Sequence, residues 1–267
     1  MNLTKKPTIW LGLAIGNSRL HWAGFIRETL QTWDTDHLPT ATVKQIIQSW
    51  KSAKDIFPPN WVDQIEDTVK DPNPLPLYLA SVVPSQTELW QTYPAIRIIT
   101  LAQIPLQGIY PTLGIDRALA VWGAGEIWGW PVLVIDAGTA LTFTGADVNH
   151  KLVGGAILPG LGLQLKSLTQ NTAALPEIEL PDQIPQRFAL NTKGAIQSGV
   201  VCTVLAGVRN FIAAWWNLYP ESRILLTGGE SIAIFTYLQA QTPELAAKLT
   251  VEPDLIFKGM RSIVNSQ

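Results

Sequence analysis

Two aspartates of this 267-residue chain stand in apolar stretches, each close to a glycine. In "VLVIDAGTALTF" an apolar run ends at Asp136, then Ala137, Gly138 and Thr139 lead into a second run. Gly138 has no Cβ, so a ligand can approach the backbone there. The N–H groups of such a turn, with the Thr139 hydroxyl, can donate to phosphate oxygens. Asp136 can hold a cation that neutralises phosphate charge. The plainer reading is a hairpin whose aspartate caps its own turn. In "LGIDRALA", Asp116 and Arg117 are adjacent charges at the start of a helix. Asp116 is either an N-cap or a carboxylate base in a cleft, with Arg117 holding an anionic substrate group.

Four more stretches have the residues of ligand-holding turns. "LGLAIGNSRLHWAGF", residues 11–25, runs apolar into Gly16-Asn17-Ser18 and then turns basic and aromatic. It suits a phosphate, yet Ala14 stands where a phosphate-and-metal loop would want a carboxylate. "VGGAILPGLGLQLKSL" pairs glycines with a Pro159-Gly160 turn, and its Lys166 reads as a solvated helix residue rather than a phosphate ligand. In "NTKGAIQSGVV", Thr192 opens a long helix, whose N-terminus attracts anions; the same residue could simply cap it. "LLTGGES" ends a strand in Gly228-Gly229, which either admits a flat ligand such as a purine or turns the chain.

The elements that must position these residues alternate. Strands are expected at 8–15 and 18–25, in "LYLASVVP", "IRIITL", "PVLVIDAGTALTFTGAD", "KLVGGAILPG" and "RILLTGGES". Helices are expected at 41–55, after Ser85 and Glu88 in capping-box spacing, from about Asp116 to Trp128, in "LGLQLKSLTQNTAAL", from Thr192 onward, and through the last 35 or so residues. The alternation predicts an α/β class. "AIGNSRLHWAG" laid over "DAGTALTFTGA" puts Gly16 on Gly138 and Asn17 on Thr139. That echo predicts a duplication: two similar domains with a cleft between them.

Composition sets the limits. A hydrophobic share of 47% and a charged share of 15% supply a sizeable core, and domains of about 100–200 residues allow one large or two modest ones. The net charge of −2 gives no basic footprint for nucleic acid. Cys202 is the one cysteine and lies in an apolar helical run, so it reads as a buried structural thiol. His21, His37 and His150 show no metal-ligand spacing. "MNLTKKPTIW" lacks a signal-peptide apolar region. The apolar run "VVCTVLAGVRNFIAAWW" is broken by Arg209, short of a membrane span of about 20 residues. The expectation is a soluble intracellular protein with no membrane partner, its eleven tryptophans serving the core or a subunit contact.

The order of the motifs is more specific than any one of them. "IGNSRLHWAGF", "ASVVP", "YPTLGIDRALA", "VIDAGTALTF", "GGAILPGL", "NTAALP", "NTKGAIQSGV" and "LLTGGE" resemble type III pantothenate kinase, a family of the actin and sugar-kinase superfamily. The resemblance covers nearly the whole chain and weakens over residues 30–75. It implies two ribonuclease-H-like (actin-like ATPase) domains, at 1–115 and 116–267, with a cleft between them. It implies ATP-dependent phosphorylation of pantothenate to 4'-phosphopantothenate, the first step of coenzyme A biosynthesis, in a cytoplasmic homodimer whose pantothenate pocket lies close to the subunit contact. Mg2+ and a monovalent cation, K+ or NH4+, are implied as cofactors. The general base falls on Asp116, and the substrate-holding segment on Gly114, Ile115, Asp116 and Arg117 with Tyr110 just upstream. The substrate-contacting threonine falls on Thr192, the ATP-contacting threonine on Thr139, and the monovalent-cation carboxylate on Asp136. The first ATP phosphate loop covers Ala14, Ile15, Gly16, Asn17, Ser18, Arg19, Leu20 and His21. The departure is Ala14, where the family usually has Asp; Ser18 for Thr keeps the hydroxyl. The competing reading is a catalytically silent, nucleotide-binding homologue with a regulatory role.

Overall fold

A computed structural model describes residues 9–49, 56–68, 74–170 and 178–266. Among the described residues ten strands form two five-stranded sheets. The first holds β1 (Ile9–Ile15), β2 (Leu20–Ile26), β3 (Thr29–Thr35), β4 (Leu77–Ser81) and β5 (Ile96–Ile98), in the order β3-β2-β1-β4-β5. The second holds β6 (Val132–Ala137), β7 (Ala140–Ala146), β8 (Leu152–Pro159), β9 (Arg223–Thr227) and β10 (Leu249–Val251), in the order β10-β9-β6-β7-β8. In each, the first three strands form an antiparallel meander and the last two run parallel to the central strand. The ribonuclease-H-like topology thus occurs twice, as the echo between the two Gly turns predicts. The central strands are near-continuous apolar runs because both of their faces are covered. Every residue of β1 is buried.

The helices are α1 (Thr40–Gln48), α2 (Pro59–Thr68), α3 (Pro84–Trp90), α4 (Ile115–Trp128), α5 (Leu161–Gln170), α6 (Thr192–Leu218), α7 (Ser231–Gln241), α8 (Pro243–Ala246) and α9 (Leu255–Ser266). The chain divides into two units. The first takes the chain up to Pro105, Tyr110–Gly123 and the stretch from Ile256 onward; the second takes Leu106–Ile109 and Ala124–Leu255. Each has its own apolar core. In the first, Trp22, Trp61 and Trp90 pack among the aliphatics of β1 and β4, with Trp22 and Trp90 edge-to-face at 5.5 Å. In the second, Val201, Val204, Leu205, Val208 and Ile212 of α6 recur at helical spacing beneath β6 and β7.

Two glycines show how closely the units repeat. A Cβ on Gly24 of β2 would stand 1.8 Å from the Trp61 indole, and one on Gly145 of β7 would stand 2.4 Å from that of Trp215. Gly24 pairs with Leu11 as Gly145 pairs with Leu133, so the two glycines occupy the same place in their sheets. Each lets an indole lie flat on a strand. A third close approach positions the candidate base. Gly259 of α9 brings that helix against α4, where a Cβ would meet the Leu119 carbonyl at 2.1 Å. Trp122 Nε1 also donates to Ser262 Oγ at 3.0 Å.

Several expectations need correction. β3 and β10 were not anticipated: β3 mixes polar and apolar residues along a half-exposed edge, and β10 has only three residues inside a stretch expected to be helical. The Ser85–Glu88 capping box does not form. Pro84 opens α3 behind the extended Val83, without a side-chain cap; a capping box forms instead at Thr100 and Gln103. The helix expected over 41–55 ends at Gln48, and residues 50–55 lie outside the described residues, as does the "NTAALP" motif. By length and composition α6 could cross a membrane, being longer than the run counted around Arg209. Its apolar stripe faces the second core.

Candidate active site

In the first unit a four-residue turn joins β1 to β2. Ile15 pairs with Leu20, and Gly16 N–H donates to the Arg19 carbonyl at 3.0 Å. Asn17, Ser18 and Arg19 are exposed, while Ala14 just before them is buried at 4%. Ala14 pairs with His21 on β2 and with Ala80 on β4. His21 in turn lies opposite Asp34 of β3, its Nδ1 2.7 Å from the Asp34 carboxylate. The hydrogen bond from His21 holds the Asp34 carboxyl below its ordinary range, against a smaller opposing effect of burial.

The "LGIDR" segment begins α4. Leu113 N–H donates to the Tyr110 carbonyl at 3.0 Å, and Ala118 N–H to the Gly114 carbonyl at 3.1 Å. Asp116 is therefore inside the first turn rather than at the cap, where its carboxylate accepts the Arg117 N–H at 2.8 Å. Burial pushes the Asp116 carboxyl up, opposed by that hydrogen bond and by the charges of Arg117 and His21. Arg117 is 6% exposed, and its Nη1 donates to the Tyr110 hydroxyl at 3.1 Å. Gly114 is required by the base itself: a Cβ there would stand 2.3 Å from Asp116 Oδ1. Tyr110, Gly114, Ile115, Asp116 and Arg117 form one cluster, and His21 is near enough to act on its carboxylate.

In the second unit Asp136 is the next-to-last residue of β6, between Thr142 on β7 and Thr227 on β9. Gly138 N–H donates to the Ala140 carbonyl at 3.1 Å, and Gly160 N–H to the Thr139 carbonyl at 2.8 Å. Two glycines crowd this turn. A Cβ on Gly160 would meet the Gly138 carbonyl at 2.1 Å, and one on Gly228, at φ +87, would meet Asp136 Oδ1 at 2.4 Å. The "TGGE" motif therefore folds back on the Asp136 turn, with Glu230 N–H donating to the Ala137 carbonyl at 2.8 Å. The Glu230 carboxylate accepts the N–H groups of Leu161 and Gly162 at 2.9 and 2.8 Å, at the start of α5. Burial raises the Glu230 carboxyl, opposed by those two bonds.

Thr192 comes from another element of this unit. It is the first residue of α6, and the cap is Asn191, whose side chain accepts the Gly194 N–H at 2.8 Å. Thr192 lines a groove of about 770 Å³ with Gln164, Leu168, Leu190 and Thr203. Sequence reasoning missed Asp34 and Glu230. Asp34 lies on the unanticipated β3, and Glu230 follows two glycines that drew attention to the backbone alone. Cys202 is buried, as expected. Among the described residues no group of three or more His, Cys, Asp or Glu could hold a metal. Asp136 offers one hard oxygen donor, which fits Mg2+, an ion held by one or two carboxylates together with substrate phosphates.

Duplicated sheets, each with a Gly turn at the end of its central strand, define an α/β protein built on two ribonuclease-H-like units. The model of one family, type III pantothenate kinase, matches residues 10–214. A type III pantothenate kinase of Nostoc sp. is 54% identical over 270 residues, covering 96% of this chain and 94% of that one. One from Synechocystis sp. is 43% identical, covering 98% and 92%. This chain belongs to the type III pantothenate kinase family. Among solved structures it is similar in fold to a conserved protein of Campylobacter jejuni described as a Baf family transcriptional activator, at TM-score 0.60 and 19% identity, covering 96% and 98%.

Proposed function

We infer that this protein transfers the terminal phosphoryl group of ATP to the primary hydroxyl of pantothenate. The observation that carries the reading is Asp116, a carboxyl raised by burial at a helix start, in a chain whose relatives bear the kinase name. Phosphoryl transfer depends on positioning and charge neutralisation more than on covalent chemistry. Asp116 accepts the hydroxyl proton, and raising a carboxyl above its ordinary range brings a base closer to working pH. Arg117, steadied by Tyr110, holds the base in place and turns positive charge towards the substrate carboxylate. Gly16–His21 and Thr139 take the phosphates, and Thr192 contacts pantothenate from the start of α6. Asp136 holds the monovalent cation, K+ or NH4+, and helps to seat Mg2+. Bound metal would neutralise charge on the transferring phosphoryl group. The enzyme acts as a soluble, cytoplasmic homodimer.

A coupled assay of ADP release with pantothenate, ATP, Mg2+ and K+ tests this. Turnover that requires pantothenate is expected. No turnover at saturating ATP and Mg2+ would overturn the reading. Nothing observed favours the silent-homologue alternative.

A further inference from the structure

The turn between β6 and β7 is tied at both ends. The Ala137 carbonyl accepts the Glu230 N–H at 2.8 Å, and the Thr139 carbonyl accepts the Gly160 N–H at 2.8 Å. The two donors belong to different segments: Glu230 stands between β9 and α7, and Gly160 between β8 and α5. Gln164 N–H donates to the Gly160 carbonyl at 3.0 Å, the first bond of α5, so Gly160 is the cap of that helix. It cannot carry a capping side chain, because a Cβ there would meet the Gly138 carbonyl at 2.1 Å. The first N–H groups of a helix have no partner within it. In α5 the partner comes from far along the chain. Glu230 Oε2 accepts the Leu161 N–H at 2.9 Å across 69 residues, and Oε1 accepts the Gly162 N–H at 2.8 Å across 68.

These bonds close a ring. It runs from Ala137 through the Glu230 backbone and side chain to the start of α5, and from Gly160 back to Thr139. An ordinary cap does less. Asn191 caps α6 by accepting the Gly194 N–H three residues on, and it binds its own helix alone. Glu230 grips a helix with its side chain and the turn with its backbone. Hydrogen bonds to an ionised carboxylate are roughly twice as strong as neutral ones, so the link through the side chain is a firm one. A turn held at both ends has little left to order when a phosphate arrives, and such preorganisation raises affinity.

We propose that Glu230 is the positioning residue of the Asp136 turn: by tying the turn to the start of α5 it holds the backbone around Gly138 ready for ATP, without touching the nucleotide. This rests on the reading of the protein as an ATP-dependent kinase. It is tested by calorimetric titration of Mg2+–ATP, beside the steady-state KM for pantothenate and the melting temperature. Glu230→Ala opens the ring and should weaken ATP binding about ten- to hundredfold, the range for one hydrogen bond to a charged group. Glu230→Gln, which can still accept one of the two N–H groups, should fall between that variant and wild type. The KM for pantothenate should stay unchanged in both.

Gly162→Ala separates positioning from stability. Its Cβ would stand 2.8 Å from Glu230 Oε1, closer than non-bonded heavy atoms settle, so the carboxylate must move off the Gly162 N–H. Alanine also favours a helix over glycine, which offsets the weakened cap. The melting temperature should therefore stay near that of wild type while ATP affinity falls. Wild-type ATP affinity in folded Glu230→Ala would overturn the proposal and leave Glu230 as a helix cap alone. An equal loss in the KM for pantothenate would overturn it too, because the effect would then belong to the fold as a whole. If Glu230→Ala does not fold, Gly162→Ala decides on the same two readings. A wild type that binds ATP but does not turn over pantothenate would refute the functional reading, and the ATP affinities of the variants would still decide the role of Glu230.

Discussion

Replacing Gly114 by alanine should disable the enzyme while leaving the fold nearly intact. The added Cβ would stand 2.3 Å from Asp116 Oδ1 and 3.8 Å from Arg117 Cδ. Non-bonded heavy atoms settle at about 3.5 Å, so the carboxylate must retreat by roughly 1 Å. It can do so by turning its own side chain, which moves no backbone. The substitution also lowers the entropy of the unfolded chain, worth about 0.4–1 kcal/mol, against an overpacking cost of about 1–3 kcal/mol. The net change in stability is therefore on the order of 1–2 kcal/mol. A displacement of about 1 Å at a reacting group costs on the order of 100-fold in rate. The expected result at saturating ATP and pantothenate is a kcat about 100-fold lower, with KM for ATP unchanged and the melting temperature within a few degrees. A second readout tests the cause. A carboxylate pushed towards solvent loses part of the burial that raises it, so the acidic limb of the kcat profile should move to lower pH. A kcat within threefold of wild type would refute the assignment of Asp116 as base.

Asp116→Asn should abolish turnover yet raise the melting temperature at neutral pH. Burial lifts the folded pKa above the unfolded value, so the favourable contribution of Asp116 is present below the unfolded pKa and lost as pH rises through the folded one. Melts at pH 7.5 should thus favour the variant, and the gain should vanish near and below about pH 4. Glu230→Gln exchanges a carboxylate bonded to two N–H groups for an amide that can match only one. It should cost about 1.5–3 kcal/mol in denaturant titrations and raise KM for ATP. Asn191→Ala should cost about 1 kcal/mol by loss of the α6 cap, whereas Thr192→Ala should leave stability unchanged and raise KM for pantothenate. Ala14→Asp places a second carboxylate opposite His21 and should tighten Mg2+-dependent ATP binding, measured as a lower Mg2+ requirement.

What the sequence revealed depended on how local the cause was. β1 and β6 were legible as apolar runs because they are covered on both faces, and the start of α4 was placed to within one residue. The turns at Gly16 and Gly138 were legible because each follows such a run. β3 was not, because "TLQTWDT" is half-exposed and its identity comes from pairing with β2. Ser85 and Glu88 had the spacing of a cap, but Pro84 takes the first helical position. In the site, Asp116, Arg117 and Tyr110 meet within seven residues of chain, so local reading found them together. The bond of Glu230 to Leu161 spans 69 residues, and it forms where the segments after β9 and β8 both meet the turn between β6 and β7. Asp34 meets His21 only through strand register, and a slip of one residue would put it on the opposite face.

The two turns differ in how deeply their central-strand residues are buried. Ala14 is 4% exposed and its neighbour Ala80 2%. A carboxylate at position 14 would lose most of its hydration and would need a metal, or donors, to stay ionised. At the matching place in the second sheet, Asp136 is half-buried between two threonine-bearing strands, beside a turn rich in N–H groups. In the first sheet the carboxylate lies on the exposed edge strand instead, where ionisation costs little, hydrogen-bonded to His21. The core glycines Gly24 and Gly145 repeat because an indole must lie on each strand. The polar rows do not repeat: Ala80, Ala14, His21 and Asp34 stand where the second sheet has Thr227, Asp136, Thr142 and Ile157.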